Sequence, residues 1–247
     1  MVKYKELNNG YTVPVLGLGT WKLKREQAGE AVKYAMAEAG YRHIDCASVY
    51  GNQAEIGGVF KELFGGLVKR EEVFITSKLW NTDHRPERVE EACKKTLHDL
   101  QLEYVDLYLM HWGVAFKPGE ESDPVGQDGK AMTDNVSVQE TWRAMEELVK
   151  KGLVKSIGVA NFTTMMLVDM LTYARIKPVM NQIELHPYNS QAELVEFCQY
   201  KDIGVTAYSP LGRAGVKSIR GPRLVDDQVI QQIATKHTKT PAQILLN

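Results

Sequence analysis

The feature that most constrains this fold is a regular alternation of short apolar runs with longer segments whose apolar residues recur at helical spacing. Runs such as VFIT and VDLYLM are typical of strands buried on both faces of a parallel sheet. Their alternation with helices predicts an α/β fold with right-handed crossovers. The predicted strands are Val13–Leu18, Arg42–Asp45, Val73–Lys78, Val105–His111, Ser156–Asn161, Val179–Glu184 and Gly204–Pro210. The predicted helices are Arg25–Ala39, Ala54–Phe64, Pro86–Leu100, Val138–Lys150, Thr164–Tyr173 and Ala192–Tyr200.

Two further segments lie outside this alternation. Near the amino terminus, Tyr4–Leu7 and Tyr11–Val15 flank an Asn-Gly pair, which predicts a β-hairpin. Gly113–Asn135 is the longest irregular stretch, and long ordered loops in compact domains are usually functional. Because no Gly/Ser-rich linker or internal repeat divides the chain, residues 1–247 are predicted to form a single domain.

Polar residues at the ends of the predicted strands favour a closed barrel over an open sheet. An open dinucleotide-binding sheet should carry GxGxxG after its first strand, but the turn here reads GLGTWKLKRE and lacks the third glycine. The polar strand-end residues are Asp45, Lys78, His111, Asn161, Gln182 and the pair Tyr208-Ser209, of which the first three recur at spacings of 33 residues. A (β/α)₈ TIM barrel brings all of them to one mouth, and we therefore predict that fold.

Charge and composition argue against several classes of protein and of binding site. The 30 Lys and Arg residues nearly balance the 31 Asp and Glu residues, so the sequence predicts no nucleic-acid partner. It shows no signal peptide and no apolar stretch long enough for a membrane span. Three scattered cysteines fit reduced thiols, which predicts a cytoplasmic protein. Neither CxxC nor HExxH occurs, so no metal site is expected.

A set of four polar residues suits carbonyl reduction: Asp45, Tyr50, Lys78 and His111. A buried Lys78 ammonium needs a counter-charge, which Asp45 can supply. A free Tyr phenol has a pKa of about 10, and a neighbouring cation is expected to lower the pKa of Tyr50 so that it can act as a general acid. His111 can hydrogen-bond a substrate carbonyl. The set contains no nucleophile–base pair for acyl transfer.

Each of these residues taken alone also has a structural interpretation. A Tyr five residues after an Asp is usually structural, a lone His at a strand end is more often a supporting group than a catalyst, and Lys78 can point to solvent. The coincidence of polar residues at six strand ends favours function instead. Likewise, one Trp after a strand is usually core packing, but Trp21, Trp80 and Trp112 beside one mouth predict the wall of an apolar substrate pocket.

Seven stretches of the chain closely resemble the aldo-keto reductase family, and within it the aldose/aldehyde reductase group. They are VPVLGLGTWK, GYRHIDCASVYGNQAEIG, VFITSKLWN, LEYVDLYLMHW, GLVKSIGVANF, PVMNQIELHPY and VTAYSPLG, in the family order. The resemblance implies an NADPH-dependent enzyme that reduces an aldehyde or ketone, including aldoses, to an alcohol. It also implies a monomer with a small-molecule carbonyl substrate.

The resemblance assigns roles to individual residues. It implies that Tyr50 is the proton donor and that Lys78 adjusts its pKa, with Asp45 as the partner of Lys78. It implies that His111 orients the substrate. The implied cofactor contacts are Gly19, Thr20, Trp21, Asp45, Asn161, Gln182, Tyr208, Ser209 and Leu211. Among them, Asn161 and Gln182 would bind the nicotinamide carboxamide and Tyr208 would stack on the ring. The implied substrate contacts are Trp21, Val49, Tyr50, Trp80, His111 and Trp112.

The sequence departs from the family pattern at three places. Ala160 replaces the common serine of GVSNF, which removes a hydroxyl expected to help hold the carboxamide at a cost of roughly 1 kcal/mol. Gly113 replaces the common proline of HWP and is expected to loosen the start of the long loop. The third is the carboxyl terminus: Thr240 and Pro241 predict the start of a helix that ends shortly afterwards, so the last barrel strand and the carboxyl-terminal loop are expected to be missing.

Two other functions stay open at this point. A cofactor-binding but non-catalytic barrel, regulatory or structural, would share the fold, because fold alone does not determine function. A non-redox barrel enzyme such as a hydrolase or lyase is a further alternative. The complete set of four polar residues argues against the former, and the lack of paired strand-end carboxylates and of metal-ligand clusters argues against the latter.

Overall fold

Nine strands lie in the part of the chain that the computed structural model describes, residues 2–212 and 223–247. They are β1 (Tyr4–Glu6), β2 (Thr12–Pro14), β3 (Leu18–Gly19), β4 (His43–Asp45), β5 (Phe74–Leu79), β6 (Val105–Met110), β7 (Val154–Ala160), β8 (Met180–Glu184) and β9 (Gly204–Tyr208). The strands β3 to β9 pair in parallel, in the order of the sequence, as a nearly closed barrel. The predicted α/β barrel is therefore confirmed, and β4 to β9 lie within two residues of their predicted bounds.

The predicted first strand, Val13–Leu18, is wrong as a single element. Its beginning belongs to β2, which pairs antiparallel with β1 so that Pro14 lies opposite Tyr4. Its end belongs to β3, where Leu18 pairs with Ile44 and Gly19 with Asp45. The two halves serve different sheets, a division that an apolar run in the sequence does not reveal.

The hairpin of β1 and β2 closes the amino-terminal end of the barrel. Leu7 and Val13 of the hairpin are buried in an inner core with six residues of the barrel: Phe74, Leu107, Leu109, Ala160, Val179 and Met180. Asn8 Nδ2 donates to the Pro178 and Asp202 carbonyl oxygens at 3.1 and 2.8 Å, which ties the turn to the starts of β8 and β9. The predicted hairpin is confirmed, with Gly10 at φ +85°, where glycine fits best.

The described residues form eight helices: α1 (Arg25–Ala37), α2 (Gln53–Phe64), α3 (Pro86–Leu100), α4 (Val138–Lys150), α5 (Thr164–Tyr173), α6 (Ala192–Tyr200), α7 (Gln228–Lys236) and α8 (Pro241–Leu245). Helices α1 to α6 pack on the outside of the barrel, and α7 and α8 pack against each other. The bounds of α3 to α6 are those predicted. The start of α8 is also confirmed, because Thr240 and Gln243 form a capping box there. Helix α7 was not predicted, although Asp227 caps its start. None of the described helices is long and apolar enough to cross a membrane.

Side chains alternate between the inside and the outside of the barrel. Along β5 and β6 every residue is buried. Phe74 and Leu107 belong to the inner core, whereas Ile75 and Tyr108 belong to the larger outer core between strands and helices. This alternation is what a strand buried on both faces requires. It also directs Lys78, four residues after Phe74, to the interior of the barrel.

The long segment Gly113–Asn135 is ordered by short antiparallel bridges, between Phe116 and Thr133 and between Val125 and Ala131. The looser start expected from Gly113 stays a prediction, but the structure gives a steric reason for glycine at this position. A Cβ atom at Gly113 would lie 2.1 Å from Met166 Cε and 3.1 Å from the Phe162 ring. The side chain of Met166 packs against the backbone at this point, so glycine allows a close contact.

Helices α2 and α3 approach each other closely at Gly57. A Cβ atom there would lie 2.2 Å from the Asp99 carbonyl oxygen and 2.8 Å from Leu100 Cα. Its neighbour Gly58 points away, with nothing within 4 Å of a Cβ atom. A side chain would therefore clash with the backbone of α3 at Gly57 but would fit at Gly58.

We predict that Gly57→Ala and Gly58→Ala change stability in opposite directions. The Gly57 variant should lose about 1–3 kcal/mol of unfolding free energy, because a backbone clash forces α2 away from α3. The Gly58 variant should gain roughly 0.5–1 kcal/mol, because alanine is the better helix former. Urea unfolding of both variants checks this, and a Gly57→Ala protein as stable as the Gly58→Ala protein would contradict it.

Candidate active site

The carboxyl-terminal ends of the strands bring the predicted polar residues to one end of the barrel. Thr76, two residues before Lys78 on β5, pairs with Asp45 on β4, and Ala160, one residue before Asn161, pairs with Gln182 on β8. His111 directly follows β6, and its backbone N–H donates to the Leu79 carbonyl oxygen at 3.1 Å. Residues far apart in sequence therefore become neighbours because their strands are parallel and in register.

Lys78 lies at the centre of this group and is completely buried. Its Nζ donates to Asp45 Oδ1 in a short ion pair, to the Cys46 carbonyl oxygen at 2.9 Å and to the Tyr50 hydroxyl at 3.3 Å. An ammonium group has three N–H donors, so all three are used. The other oxygen of the carboxylate, Asp45 Oδ2, accepts from Gln182 Nε2 at 2.7 Å.

Tyr50 ends a short 3₁₀ turn, Ser48–Tyr50, between β4 and α2. Its N–H donates to the Ala47 carbonyl oxygen at 3.1 Å, and Gly51 continues the chain at φ +68°, where a side chain is strained. This turn directs the phenol into the barrel mouth, within reach of Lys78.

The charge states of Lys78 and Tyr50 follow from burial and from each other. Burial lowers the pKa of Lys78, but Asp45 and then Tyr50 raise it more, so that the net shift is upward and the ammonium stays charged. Burial raises the pKa of Tyr50, Lys78 opposes this, and Asp45 adds to it. The net pKa of Tyr50 is raised, so the expectation of a lowered value is wrong for this structure. Burial outweighs the cation, and the phenol keeps its proton at neutral pH.

His111 faces the phenol and a tryptophan. Its ring makes edge contacts with Tyr50 and Trp80, with centroid distances of 5.9 and 5.0 Å. Burial, and next the charge of Lys78, lowers the pKa of His111 to about 3, so the imidazole is neutral. Its Nδ1 is buried and has no hydrogen-bond partner among the described residues.

The three residues expected to hold the nicotinamide form hydrogen bonds at the same mouth. Asn161 Nδ2 donates to the His111 carbonyl oxygen at 2.9 Å, and the Tyr208 hydroxyl donates to Asn161 Oδ1 at 2.9 Å. Gln182 donates to Asp45. The sequence did not predict these contacts, because they join strand ends that are far apart along the chain. Amide donors and acceptors beside a phenol ring are the groups that fit a planar carboxamide-bearing ring.

The other residues expected near the cofactor differ in burial and in backbone conformation. Thr20 is fully buried, and its N–H and Oγ1 donate to the Asp45 carbonyl oxygen at 3.0 and 2.9 Å. Gly19 pairs with Asp45, and a Cβ atom there would meet open space. Ser209 adopts φ +50°, and Leu211 is half-buried just after β9. Ala160 is buried in the inner core.

The predicted apolar pocket wall is partly open. Trp112 and Trp21 are 41% and 46% exposed, so both indoles have surface to offer a ligand. Trp80 is half-buried, and its Nε1 donates to the Ser122 carbonyl oxygen at 2.7 Å, which ties the long loop to the mouth. Val49 is half-buried in the turn that carries Tyr50. A cavity of about 180 Å³ lies at the opposite end, between the hairpin and β5–β7.

Metal-ligating side chains do not gather at this mouth. Within residues 2–212 and 223–247, no group of three or more His, Cys, Asp or Glu side chains is arranged to hold a metal ion. The three cysteines, Cys46, Cys93 and Cys198, are buried and unpaired.

Comparison with known proteins agrees with the barrel and its motifs. The model of the aldo/keto reductase family matches residues 15–247. The chain belongs to the aldo/keto reductase family. It is 50% identical to aldo-keto reductase family 1 member A1 of Rattus norvegicus over 244 residues, which cover 97% of this chain and 75% of the rat protein. It is 49% identical to the protein of the same name from Homo sapiens, with the same two coverages.

Comparison with a solved structure supports the same family. The aldose reductase of Schistosoma japonicum superposes with a TM-score of 0.92 at 46% identity, over 99% of this chain and 78% of that chain. The chain is therefore an oxidoreductase of a family that acts on small carbonyl compounds with a nicotinamide cofactor.

We predict that His111 makes the protein sensitive to acid. Its pKa is about 3 when folded and near 6.5 when unfolded, so its neutral form contributes stability that is complete above pH 6.5 and is lost as pH falls toward 3. The loss from this group is at most about 1.4 kcal/mol per pH unit. Urea unfolding at pH 7, 6 and 5 should therefore show wild type losing stability faster than His111→Gln. Parallel losses in the two proteins would contradict the prediction.

Proposed function

We propose that this chain reduces aldehydes and ketones to alcohols with NADPH, with Tyr50 as the proton donor. The observation that carries the proposal is the position of Lys78 Nζ, which hydrogen-bonds Asp45 and Tyr50 at once. A buried cation beside a phenol stabilises the phenolate that forms when the proton leaves. This arrangement suits protonation of a carbonyl oxygen.

The proton starts on the Tyr50 hydroxyl, because the raised pKa of Tyr50 keeps the phenol protonated. As the proton moves to the carbonyl oxygen of a substrate, Lys78 stabilises the remaining charge, and Asp45 keeps Lys78 in place. The neutral imidazole of His111, in edge contact with the phenol, can donate a hydrogen bond to the same carbonyl oxygen and so orient it.

Asn161 and Gln182 would hold the nicotinamide carboxamide, and Tyr208 would cover one face of the ring. When bound, the reduced cofactor supplies the hydride. The preference for NADPH over NADH rests on the resemblance to the family. Further contacts are proposed at Gly19, Thr20, Trp21, Asp45, Ser209 and Leu211. Since Gln182 donates to Asp45 here, it would have to share or exchange that bond when it binds the carboxamide.

The substrate is proposed to lie between Tyr50 and His111, against walls formed by Trp21, Val49, Trp80 and Trp112. Aldoses are the first substrates to test, because the solved relative is named an aldose reductase. The hydrogen-bonded set around Lys78 argues against a non-catalytic barrel. A single domain, a monomeric state and a cytoplasmic location stay predictions from the sequence.

We predict that Tyr50→Phe lowers kcat by on the order of 10²–10⁴-fold, because it removes the proton donor. The affinity for NADPH, read by quenching of tryptophan fluorescence, should stay nearly unchanged. The matched control is Tyr173→Phe, which removes a buried hydroxyl that has no partner among the described residues. Aldehyde reduction at wild-type rate by a pure Tyr50→Phe protein would refute the assignment.

We predict that Lys78→Met lowers kcat and moves the alkaline limb of the pH–rate profile to higher pH. The substitution removes the cation that opposes the upward pKa shift of Tyr50, so the pKa should rise further. It also leaves the partly buried Asp45 without its counter-charge, so the melting temperature should fall. A pH–rate profile that matches wild type would contradict this role for Lys78.

A further inference from the structure

Asn52 is a fully buried amide next to the active site that the reaction itself does not use. Its Nδ2 donates to the Thr20 carbonyl oxygen at 2.9 Å and to the Leu23 carbonyl oxygen at 3.2 Å. Its Oδ1 is buried with no partner among the described residues. Burying an amide is costly unless its hydrogen bonds compensate. The two bonds that Asn52 donates are therefore its contribution to the structure around the active site.

One end of this connection is the turn that carries Tyr50. Asn52 follows Tyr50 by two residues, directly before α2 begins. Only Gly51 lies between them, at φ +68°, and Arg25 Nε donates to its carbonyl oxygen at 2.7 Å. A displacement of Asn52 must therefore move the backbone of Tyr50.

The other end of the connection is Asp45. The Thr20 carbonyl that accepts from Asn52 belongs to the residue whose N–H and Oγ1 both donate to the Asp45 carbonyl oxygen. Thr20 is fully buried, so this contact does not exchange with solvent. Asn52 thus joins the backbone next to Tyr50 to the backbone of Asp45, the carboxylate partner of Lys78.

We propose that Asn52 is a positioning residue, which holds the Tyr50 hydroxyl at hydrogen-bonding distance from Lys78 Nζ. The inference rests on the proposed function, because it takes Tyr50 as the proton donor. Asn52 acts through Thr20 on Asp45 and through the chain on Tyr50. The contact that it sets is the longest of the three that Lys78 makes, at 3.3 Å, compared with 2.9 Å to the Cys46 carbonyl oxygen.

The test begins with Asn52→Ala, which leaves the two carbonyl groups without their donor. We expect kcat to fall about 10²-fold, the loss that a displacement of about 1 Å causes at a reacting group. The Kd for NADPH should rise by less than about tenfold, because the contact proposed at Thr20 shifts whereas the proposed carboxamide partners lie on β8 and just after β7. The control is Thr141→Val on α4, which removes a buried hydroxyl bond to the His84 carbonyl oxygen at 2.8 Å and none of the bonds that Lys78 makes. It should lower the melting temperature and leave kcat unchanged.

A double-mutant cycle with Tyr50→Phe decides how Asn52 acts. If Asn52 works only through Tyr50, then Asn52→Ala should change the single-turnover rate of the Tyr50→Phe protein less than about twofold. A further 10²-fold loss in that background would overturn the positioning role and leave the proposed function intact. Full activity of Tyr50→Phe itself would overturn the proposed function.

A milder variant keeps the test decisive if Asn52→Ala does not fold. Asn52→Ser retains a single hydroxyl donor on a shorter side chain, which cannot bind both carbonyl groups, so we expect its kcat to fall below that of wild type by less than about 10²-fold. The same cycle run on Asn52→Ser should again show no added loss in the Tyr50→Phe background. A folded Asn52→Ser protein with wild-type kcat would overturn the proposal.

Discussion

The burial of one ammonium group is the constraint on which the active site depends. Removing an ion such as Lys78 from water costs several kcal/mol, and only well-placed partners offset this cost. Asp45, the Cys46 carbonyl and the Tyr50 hydroxyl supply one partner for each N–H of Lys78. The partners come from β4 and from the turn that follows it, so β4 and β5 must keep their register for the charge to be tolerated.

Burial and the charge of Lys78 together set the protonation of the neighbouring side chains. Lys78 disfavours a second cation at His111, which adds to burial in keeping the imidazole neutral. It opposes the effect of burial on Tyr50 without cancelling it, so the phenol stays protonated. Burial, with Lys78 as the nearby cation, therefore leaves a neutral imidazole and a protonated phenol side by side. A general acid needs its proton before reaction and a stabilised anion afterwards, and this arrangement supplies both.

The sequence predicts best what depends on local pattern and strand register. Lys78 and His111 could be placed at one mouth because apolar runs and polar strand ends repeat at the period of a βα unit. The bond between Gln182 and Asp45 could not, because it joins residues 137 positions apart. The expected direction of the Tyr50 pKa shift was wrong because the burial that raises this pKa depends on how the turn packs, which the sequence does not show. The close contact at Gly113 could not be predicted either, because its neighbour Met166 lies on another element.

Packing on the outside of the barrel also reaches the chemistry. Helix α2 begins directly after the turn that carries Tyr50, and Gly57 lets this helix lie against the backbone of α3. If α2 moved outward at Gly57, its first turn, one turn away, would move with it, and so would Asn52, which directly precedes that turn. The amide of Asn52 would then lose the Thr20 and Leu23 carbonyl groups that it binds. The position of the Tyr50 phenol in the barrel mouth therefore depends on the close helix contact that Gly57 allows.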